Sequence, residues 1–203
     1  MEKIKLEVAG IPAVLYGKRS RRVYLYVHGK NGSAAEAARF ARTACPAGWQ
    51  VLAVDLPEHG TRKDSPEKLV PWVVTRELQA VYARMQPVWK HIRVYGVSIG
   101  AWFAMQALQT QQPEKALLVS PIVDMENLIL DLMQQAGVTE EQLRTAGEIP
   151  TAMGETLSWP YLCWVRGNTP CTGKCPHRCS MPIQTPLPGT PPWSSSDSRP
   201  GRT

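Results

Sequence analysis

Up to about residue 120, apolar residues fall into short runs that alternate with stretches of helical spacing. The runs are rich in β-branched and aromatic residues, which is typical of strands. They predict strands over 24–27, 51–54, 91–97 and 116–119. The intervening segments predict helices over 33–43, 67–86 and 99–109. Strands that alternate with helices favour right-handed βαβ crossovers, so we expect an α/β fold whose mostly parallel sheet carries helices on both faces.

Helix-boundary signals refine two of these helices. Ser33 is a favourable N-cap residue and Glu36 follows three residues later, a pattern that predicts a capping box. In the helix over 67–86, Pro71 falls in the first turn, where proline is tolerated. Pro87 then helps to end that helix.

A further helical region follows the fourth strand over 126–147 and is broken around Gly137 and Thr139. Because this region comes directly after a strand end, it is placed to form a lid over a site at that edge of the sheet. We therefore expect residues 126–160 to form a small helical cap.

The composition of the chain changes abruptly at about Arg166. Residues 167–203 contain eight prolines, a run of three serines and almost no aliphatic residues. No helical or strand period survives there, which is typical of disorder. We therefore predict one α/β core over 1–166 and a disordered, proline-rich tail over 167–203.

Length, composition and charge exclude several classes of protein. A chain of 203 residues, 43% of them hydrophobic, fits one domain with a buried core. The net charge is +6, and about half of it lies in residues 167–203. Lysine and arginine form no block, so we expect a mildly basic solvated surface and no nucleic-acid partner. The N-terminal segment lacks the apolar run of a secretory signal or a membrane span, which predicts a cytoplasmic protein without a membrane partner.

The five cysteines divide into two groups. Cys45 and Cys163 lie in apolar surroundings and are interpreted as reduced core residues. The others cluster with one histidine in the tail, at Cys171, Cys175, His177 and Cys179. These four could ligate zinc, but C-x3-C-x3-C does not match the paired C-x2-C pattern of common zinc sites. Accidental cysteines in a non-native tail are the preferred interpretation, and we predict no metal site.

The motif Gly96-Val97-Ser98-Ile99-Gly100 lies between a predicted strand and a predicted helix. A serine nucleophile needs that position, because a tight strand-to-helix turn holds its hydroxyl above the sheet edge and the glycines remove clashing Cβ atoms. The following helix also directs its positive end toward the site. A glycine-lined turn without chemistry is the alternative.

Two neighbouring loops supply the context for Ser98. An oxyanion hole needs two backbone N–H donors; the motif predicts Ile99 as one and the loop after His28-Gly29 predicts Lys30 as the other. We interpret His28 as a structural histidine that supports this loop.

The second loop is Asp55-Leu56-Pro57-Glu58-His59-Gly60, a turn placed near the mouth of the site. His59 would line that mouth, and direct catalysis by His59 is the less favoured alternative to a solvated loop.

Taken together, residues 23–125 resemble the N-terminal half of bacterial α/β-hydrolases of the esterase and serine-aminopeptidase type. The steps strand–His-Gly, strand–Asp-Leu-Pro and strand–Gly-x-Ser-x-Gly come in the order and spacing of that family. The loop at 55–60 is similar to its D-x-x-G-H-G turn, with Glu58 replacing a glycine. The resemblance implies a Ser–acid–His triad with Ser98 as nucleophile, an acyl-enzyme intermediate, a small-molecule ester, thioester or amide substrate, and no metal or organic cofactor.

The chain departs from this family after the cap. The family has two further strands, one ending in the catalytic acid, and a later loop with the catalytic histidine. Here Asp124 is the candidate acid, with a solvated carboxylate at a helix start as the preferred alternative, and His177 is the only later histidine. A serine without a base is a poor nucleophile. We therefore expect an incomplete α/β-hydrolase fold with impaired activity; the alternatives are an inactive remnant and a binding protein with a metal-holding tail.

The abrupt change at Arg166 leads to one further expectation, that the residues after it are translated out of frame. With suitable synonymous codons, Ser180 to Pro188 can be read in the shifted frame as Leu-Tyr-Ala-Asp-Thr-Asp-Pro-Leu-Thr. That reading resembles the strand and loop where the family keeps its catalytic acid. We expect the native protein to be longer and the 203-residue product to be poorly soluble.

Overall fold

The computed structural model describes residues 1–111, 113–152 and 154–168. The strands are β1 (Lys3–Val8), β2 (Ile11–Tyr16), β3 (Arg22–Val27), β4 (Gln50–Val54), β5 (His91–Val97), β6 (Lys115–Val119), β7 (Glu148–Pro150) and β8 (Thr156–Ser158). The α-helices are α1 (Ala37–Ala44), α2 (Pro71–Met85), α3 (Ile99–Ala107), α4 (Met125–Ala136), α5 (Glu140–Ala146) and α6 (Trp159–Asn168). Short 3-10 turns precede α1 and α2 at Ala34–Glu36 and Gly60–Arg62.

Six strands form one mixed sheet in the order β1-β2-β4-β3-β5-β6. The last four positions, β4, β3, β5 and β6, run parallel. β2 pairs antiparallel with both β1 and β4. The predicted α/β class with a mostly parallel sheet is therefore confirmed. The hairpin of β1 and β2 was not predicted, although Ile4, Leu6 and Val8 alternate with charged residues in the manner of a half-buried strand.

Both faces of the central strands are covered. Every residue of β4 is buried. On one face, Val23, Leu25 and Val27 of β3 pack into a core with residues of α2 and α3. On the other face, Tyr26 of β3 packs with the alanines of α1. Burial on two faces explains why these strands have near-continuous apolar sequences instead of a strict alternation.

Two of the predicted helix starts differ in detail from the structure. Ser33 is the N-cap residue of the 3-10 turn Ala34–Glu36, as predicted. The Ser33 side chain makes no capping hydrogen bond. Instead, Asp55 Oδ1 accepts a hydrogen bond from the Ala34 backbone N–H at 2.7 Å. The Glu36 N–H, which a capping box would bond to the Ser33 side chain, donates instead to the Ser33 backbone carbonyl at 3.1 Å, and α1 begins only at Ala37.

The helix predicted from residue 67 begins at Pro71. Val70, the residue before this proline, has φ −119° and ψ 150°, which is extended backbone. A proline disfavours helical conformation in the residue that precedes it, and its fixed φ suits the first helical position. Pro71 therefore lies in the first turn, as predicted, and also determines where α2 begins.

The region after β6 contains the two helices predicted there, α4 and α5. Gly137 ends α4 in the left-handed conformation, with φ 65°. Thr139 begins α5 with a complete capping box to Gln142. The β7–β8 hairpin and α6 follow and were not predicted. Arg166 of α6 binds Glu126 of α4 and Glu140 of α5, at 2.7 and 2.7 Å from its Nε and Nη2. These ion pairs connect the three helices.

Candidate active site

Ser98 occupies the turn between β5 and α3, as the motif predicts. Its backbone has φ 50° and ψ −120°, a conformation that costs a non-glycine residue about 1–3 kcal/mol. Its carbonyl accepts hydrogen bonds from Ala101 N–H at 3.0 Å and Trp102 N–H at 3.2 Å. Its own N–H donates to Val119 O at the end of β6, at 2.9 Å. These bonds hold a strained serine at the carboxyl edge of the sheet.

The flanking glycines allow the turn to be this tight. A Cβ on Gly96 would lie 2.6 Å from Ala101 Cα. A Cβ on Gly100 would lie 2.1 Å from the carbonyl oxygen of His28. The motif glycines therefore let α3 pack against the backbone at the ends of β5 and β3.

The loop at 29–32 lies beside the elbow. β3 and β5 are parallel neighbours with Val27 opposite Gly96, so the residues that follow both strands emerge at the same edge. A Cβ on Gly29 would lie 3.4 Å from Ser98 Cβ. In the described part of the chain, no acceptor is hydrogen-bonded to the Lys30 or Ile99 backbone N–H. The two predicted oxyanion donors are therefore on adjacent segments and available for hydrogen bonding.

The Lys30 side chain reaches the β7–β8 hairpin. Its ammonium group forms an ion pair with Glu155, in the turn between β7 and β8, and both side chains are about 40% exposed. This contact connects residues 125 positions apart in the chain. It places the β7–β8 hairpin beside the Ser98 edge of the sheet.

His28 is fully buried and supports the loop from which it projects. Its Nδ1 lies 2.7 Å from Gly29 O, so Nδ1 donates, and its Nε2 accepts a hydrogen bond from Leu56 N–H at 3.0 Å. Burial lowers the pKa of His28 below its usual value. Both ring nitrogens are used in contacts with the backbone, which is the structural arrangement that the sequence favoured.

His59 makes the reciprocal contact. Its Nδ1 lies 2.7 Å from Pro57 O, and its Nε2 accepts a hydrogen bond from Asn31 N–H at 2.9 Å. The two histidine rings lie 5.2 Å apart. One imidazole from each loop thus accepts a hydrogen bond from a backbone N–H of the other loop. In this arrangement neither ring has a nitrogen available to accept the Ser98 proton.

Asp55 organises the second loop from within. Its carboxylate accepts hydrogen bonds from Ala34 N–H, Thr61 N–H and Thr61 Oγ1 at 2.7, 3.0 and 2.8 Å. A Cβ on Gly60 would lie 2.1 Å from that carboxylate, so only glycine fits there. Glu58 adopts a left-handed φ of 61°, the conformation that its position in the turn requires and that glycine adopts more easily.

Asp124 caps α4. Its two carboxylate oxygens accept hydrogen bonds from the Asn127 backbone N–H and side-chain amide, both at 2.9 Å. Among the described residues, no histidine contacts it. His91 lies at the start of β5, at the opposite end from Ser98, and binds Glu114. The structure thus places Gly29, the residue before Lys30, beside Ser98, and among the described residues it brings no histidine to Asp124.

The tail candidates fall outside the described residues. Cys171, Cys175, His177 and Cys179 belong to that part. So does the tail predicted to be disordered over 167–203, except for Gly167 and Asn168; there the prediction is wrong, because these two residues end α6. Within the described part, no three His, Cys, Asp or Glu side chains are grouped as metal ligands. None of the described helices combines the length and hydropathy of a membrane span.

Comparisons with known proteins identify the fold. No protein-family model and no curated protein matches this sequence. Among solved structures, a protein assigned as a hydrolase from Agrobacterium vitis S4 superposes with a TM-score of 0.59, at 14% identity, over 82% of this chain and 71% of its own. Est1E from Butyrivibrio proteoclasticus, solved with ferulic acid bound, gives 0.56 at 18% identity, over 80% of this chain and 70% of its own.

A highly thermostable carboxyl esterase from Bacillus coagulans, solved in complex with glycerol, gives a TM-score of 0.51 at 16% identity, over 66% of this chain. The chain spans 50% of that esterase and 70–71% of the two proteins above. These neighbours are α/β-hydrolases, and the described part of the chain has the α/β-hydrolase fold.

Proposed function

We propose that this chain derives from a serine hydrolase that cleaves an ester, thioester or amide of a small molecule through an acyl-enzyme on Ser98. We further propose that the 203-residue form is impaired in this reaction. The observation that carries the proposal is the conformation of Ser98, with φ 50° at the carboxyl edge of a parallel sheet. A strained serine persists only where the surrounding structure holds it, and such strain clusters at active sites.

The donors around Ser98 support the same reaction. The Ile99 and Lys30 amides belong to the two segments beside the serine, and a pair of such amides stabilises the oxyanion of an acyl-transfer intermediate. Lys30, whose N–H is the second of these donors, also forms an ion pair with Glu155 in the turn between β7 and β8. A small substrate would therefore bind between the sheet edge and the cap, without metal or organic cofactor.

No base stands beside Ser98 among the residues that the structure describes. Among the described residues, His28 and His59 use both ring nitrogens in backbone contacts, and His91 lies at the far end of β5. This accounting favours a second candidate, a catalytically inactive remnant or binding protein of hydrolase fold. Loss of one triad member removes most of the rate but leaves the oxyanion and binding contributions.

Labelling with a fluorophosphonate separates the two candidates. We expect slow modification of Ser98, which added imidazole accelerates by acting as a base. Ser98→Ala should abolish the labelling. Ser120→Ala is the matched control, because Ser120 also follows a strand with a positive φ, 46°, and should leave labelling unchanged.

Three outcomes decide the proposal. Equal labelling of the Ser98→Ala variant and the parent protein would refute Ser98 as the nucleophile. No labelling of Ser98 with or without imidazole would favour the inactive binding protein. Substantial turnover of p-nitrophenyl esters without imidazole, abolished by Ser98→Ala, would show that the chain holds its own base, and His177→Ala and His59→Ala would then locate it.

A further inference from the structure

β6 forms an open edge of the sheet. Among the described residues it pairs only with β5, and nothing covers its outer side. Its side chains are largely exposed, including Leu117 at 50% and Val119 at 38%. Val123, just beyond the strand, is 83% exposed. An exposed apolar edge of this kind pairs readily with another strand.

The opposite edge of the same sheet is protected. β1 carries Lys3, Lys5 and Glu7, all exposed. Charged side chains on an edge strand oppose pairing with another chain. Within β6, Lys115 is the single charged residue, and it stands at the first position. β1 therefore carries charges along its length that oppose association, whereas β6 carries a charge only at its first position.

The backbone of β6 also shows which groups are unpaired. Val119 O accepts a hydrogen bond from Ser98 N–H on the β5 side. Because the N–H and C=O groups of successive strand residues alternate in direction, those of Leu117 face β5 as well. The backbone groups of Ala116 and Leu118 consequently face the open side.

The chain's own C-terminal part is a poor match for these groups, because its longest proline-free stretch, Trp193 to Arg199, holds a single hydrophobic residue. The residues beyond 168 contain eight prolines, and a proline cannot donate a ladder hydrogen bond. We propose instead that the edge binds a second copy of this chain, β6 against β6, antiparallel, about a two-fold axis at Leu117. Such an isologous pairing is self-complementary by symmetry.

The register of this pairing follows from the directions of the backbone groups. With the axis at Leu117, Ala116 lies opposite Leu118 of the second copy, and the two symmetric pairs exchange four backbone hydrogen bonds. The two Leu117 residues form the central non-hydrogen-bonded pair, where side chains approach most closely. Lys115 lies opposite Val119 of the second copy, so like charges do not face each other. The charge pattern is compatible with this register.

Sedimentation of the full chain over a range of concentrations tests the proposal. We expect a monomer–dimer equilibrium that Leu117→Lys shifts to monomer, because the substitution places two ammonium groups across the axis. Val123→Lys is the matched control: it adds the same charge at a more exposed apolar residue outside the strand and should leave the dimer intact. Circular dichroism checks that both variants are folded.

Cross-linking tests the register independently. Leu117→Cys should form a disulfide between two copies at position 117 under mild oxidation, identified by peptide mass spectrometry, whereas Val119→Cys should not join position 119 to itself. A chain that is monomeric at every concentration overturns the proposal. So does a dimer that both lysine variants disrupt equally, or disulfide formation as rapid at position 119 as at 117.

Discussion

Gly100 joins the nucleophile turn to the histidine-supported loop, and replacing it with alanine perturbs this junction directly. The added Cβ would lie 2.1 Å from His28 O, 2.8 Å from Val27 O and 2.9 Å from His28 C. All three atoms are backbone at the end of β3, which is paired on both sides by β4 and β5. No side-chain rotation can relieve the overlap, so α3 and the end of β3 must separate by roughly 1 Å.

The size of the effect follows from two opposing contributions. Forcing extra volume into a packed site costs typically about 1–3 kcal/mol, and a backbone contact of this kind places Gly100→Ala at or above the upper end. The change from glycine to alanine inside a helix returns up to about 1 kcal/mol. We therefore expect a net loss of about 2–3 kcal/mol in the free energy of unfolding. For a domain of this size that loss corresponds to a melting temperature roughly 5–10 °C lower.

Thermal unfolding followed by circular dichroism measures the change, with Gly167→Ala as the matched control. Gly167 lies in α6, and a Cβ there meets nothing within 4 Å; this variant should be neutral or slightly more stable. A Gly100→Ala protein whose melting temperature stays within 1–2 °C of the parent, roughly 0.5 kcal/mol, would refute the close approach of α3 and β3. It would also remove the support for Ser98 in a strained turn.

Two further predictions concern His28. His28→Ala should lower the free energy of unfolding by at least about 1–3 kcal/mol, because it leaves the buried Leu56 N–H without an acceptor; urea unfolding measures this, and a loss under 0.5 kcal/mol would contradict the contact. Burial lowers the pKa of His28 in the folded state, so the unfolded chain binds more protons below about pH 6.5 and stability should fall as pH decreases from 7 toward 5. His28→Asn should flatten this pH dependence, and an unchanged slope would show that other groups cause it.

The parts of the molecule that the sequence predicted well depend on neighbours in the chain. Ser98 lies in its turn because the strand, the two glycines and the helix are contiguous, and each contributes a local constraint. The break between α4 and α5 was predicted for the same reason, since Gly137 and Thr139 act on the residues beside them. Local patterns of this kind hold when tertiary contacts do not compete with them.

The parts that were missed depend on residues distant in sequence. Ser33 is at the predicted N-cap position but makes no side-chain capping bond, and the adjacent Ala34 N–H is bonded by Asp55, 21 residues away in sequence. The bond from Asn31 N–H to His59 and the ion pair of Lys30 with Glu155 span 28 and 125 residues. Neither hydrophobic periodicity nor a sequence motif predicts contacts between residues so far apart in the chain. A His-Gly loop and a following Asp-x-x-x-His-Gly turn on adjacent strands were the available signal that the two loops meet.

The last prediction concerns the reading frame after Arg166. It links the lack of a base beside Ser98 in the described residues to the open edge of β6. Shifting the frame from the last base of the Cys179 codon allows Leu-Tyr-Ala-Asp-Thr-Asp-Pro-Leu-Thr over the codons of residues 180–188. The alanine is forced by the codons of Met181 and Pro182, while the tyrosine and each aspartate need one free base to be suitable.

A segment of that composition has what the present residues 180–188 lack. It has no proline before its second aspartate, so it could pair along β6, and it ends in carboxylates at the edge where Ser98 stands. If the other frame is the native one, its product should be monomeric, because β6 is then covered, and should turn over p-nitrophenyl esters without added imidazole. The 203-residue product should self-associate and should not turn over p-nitrophenyl esters without added imidazole. Sequencing the gene from independent isolates and expressing both products decides between them: an uninterrupted frame in every isolate, together with a soluble monomeric 203-residue protein, would refute both the shift and the role assigned to the β6 edge.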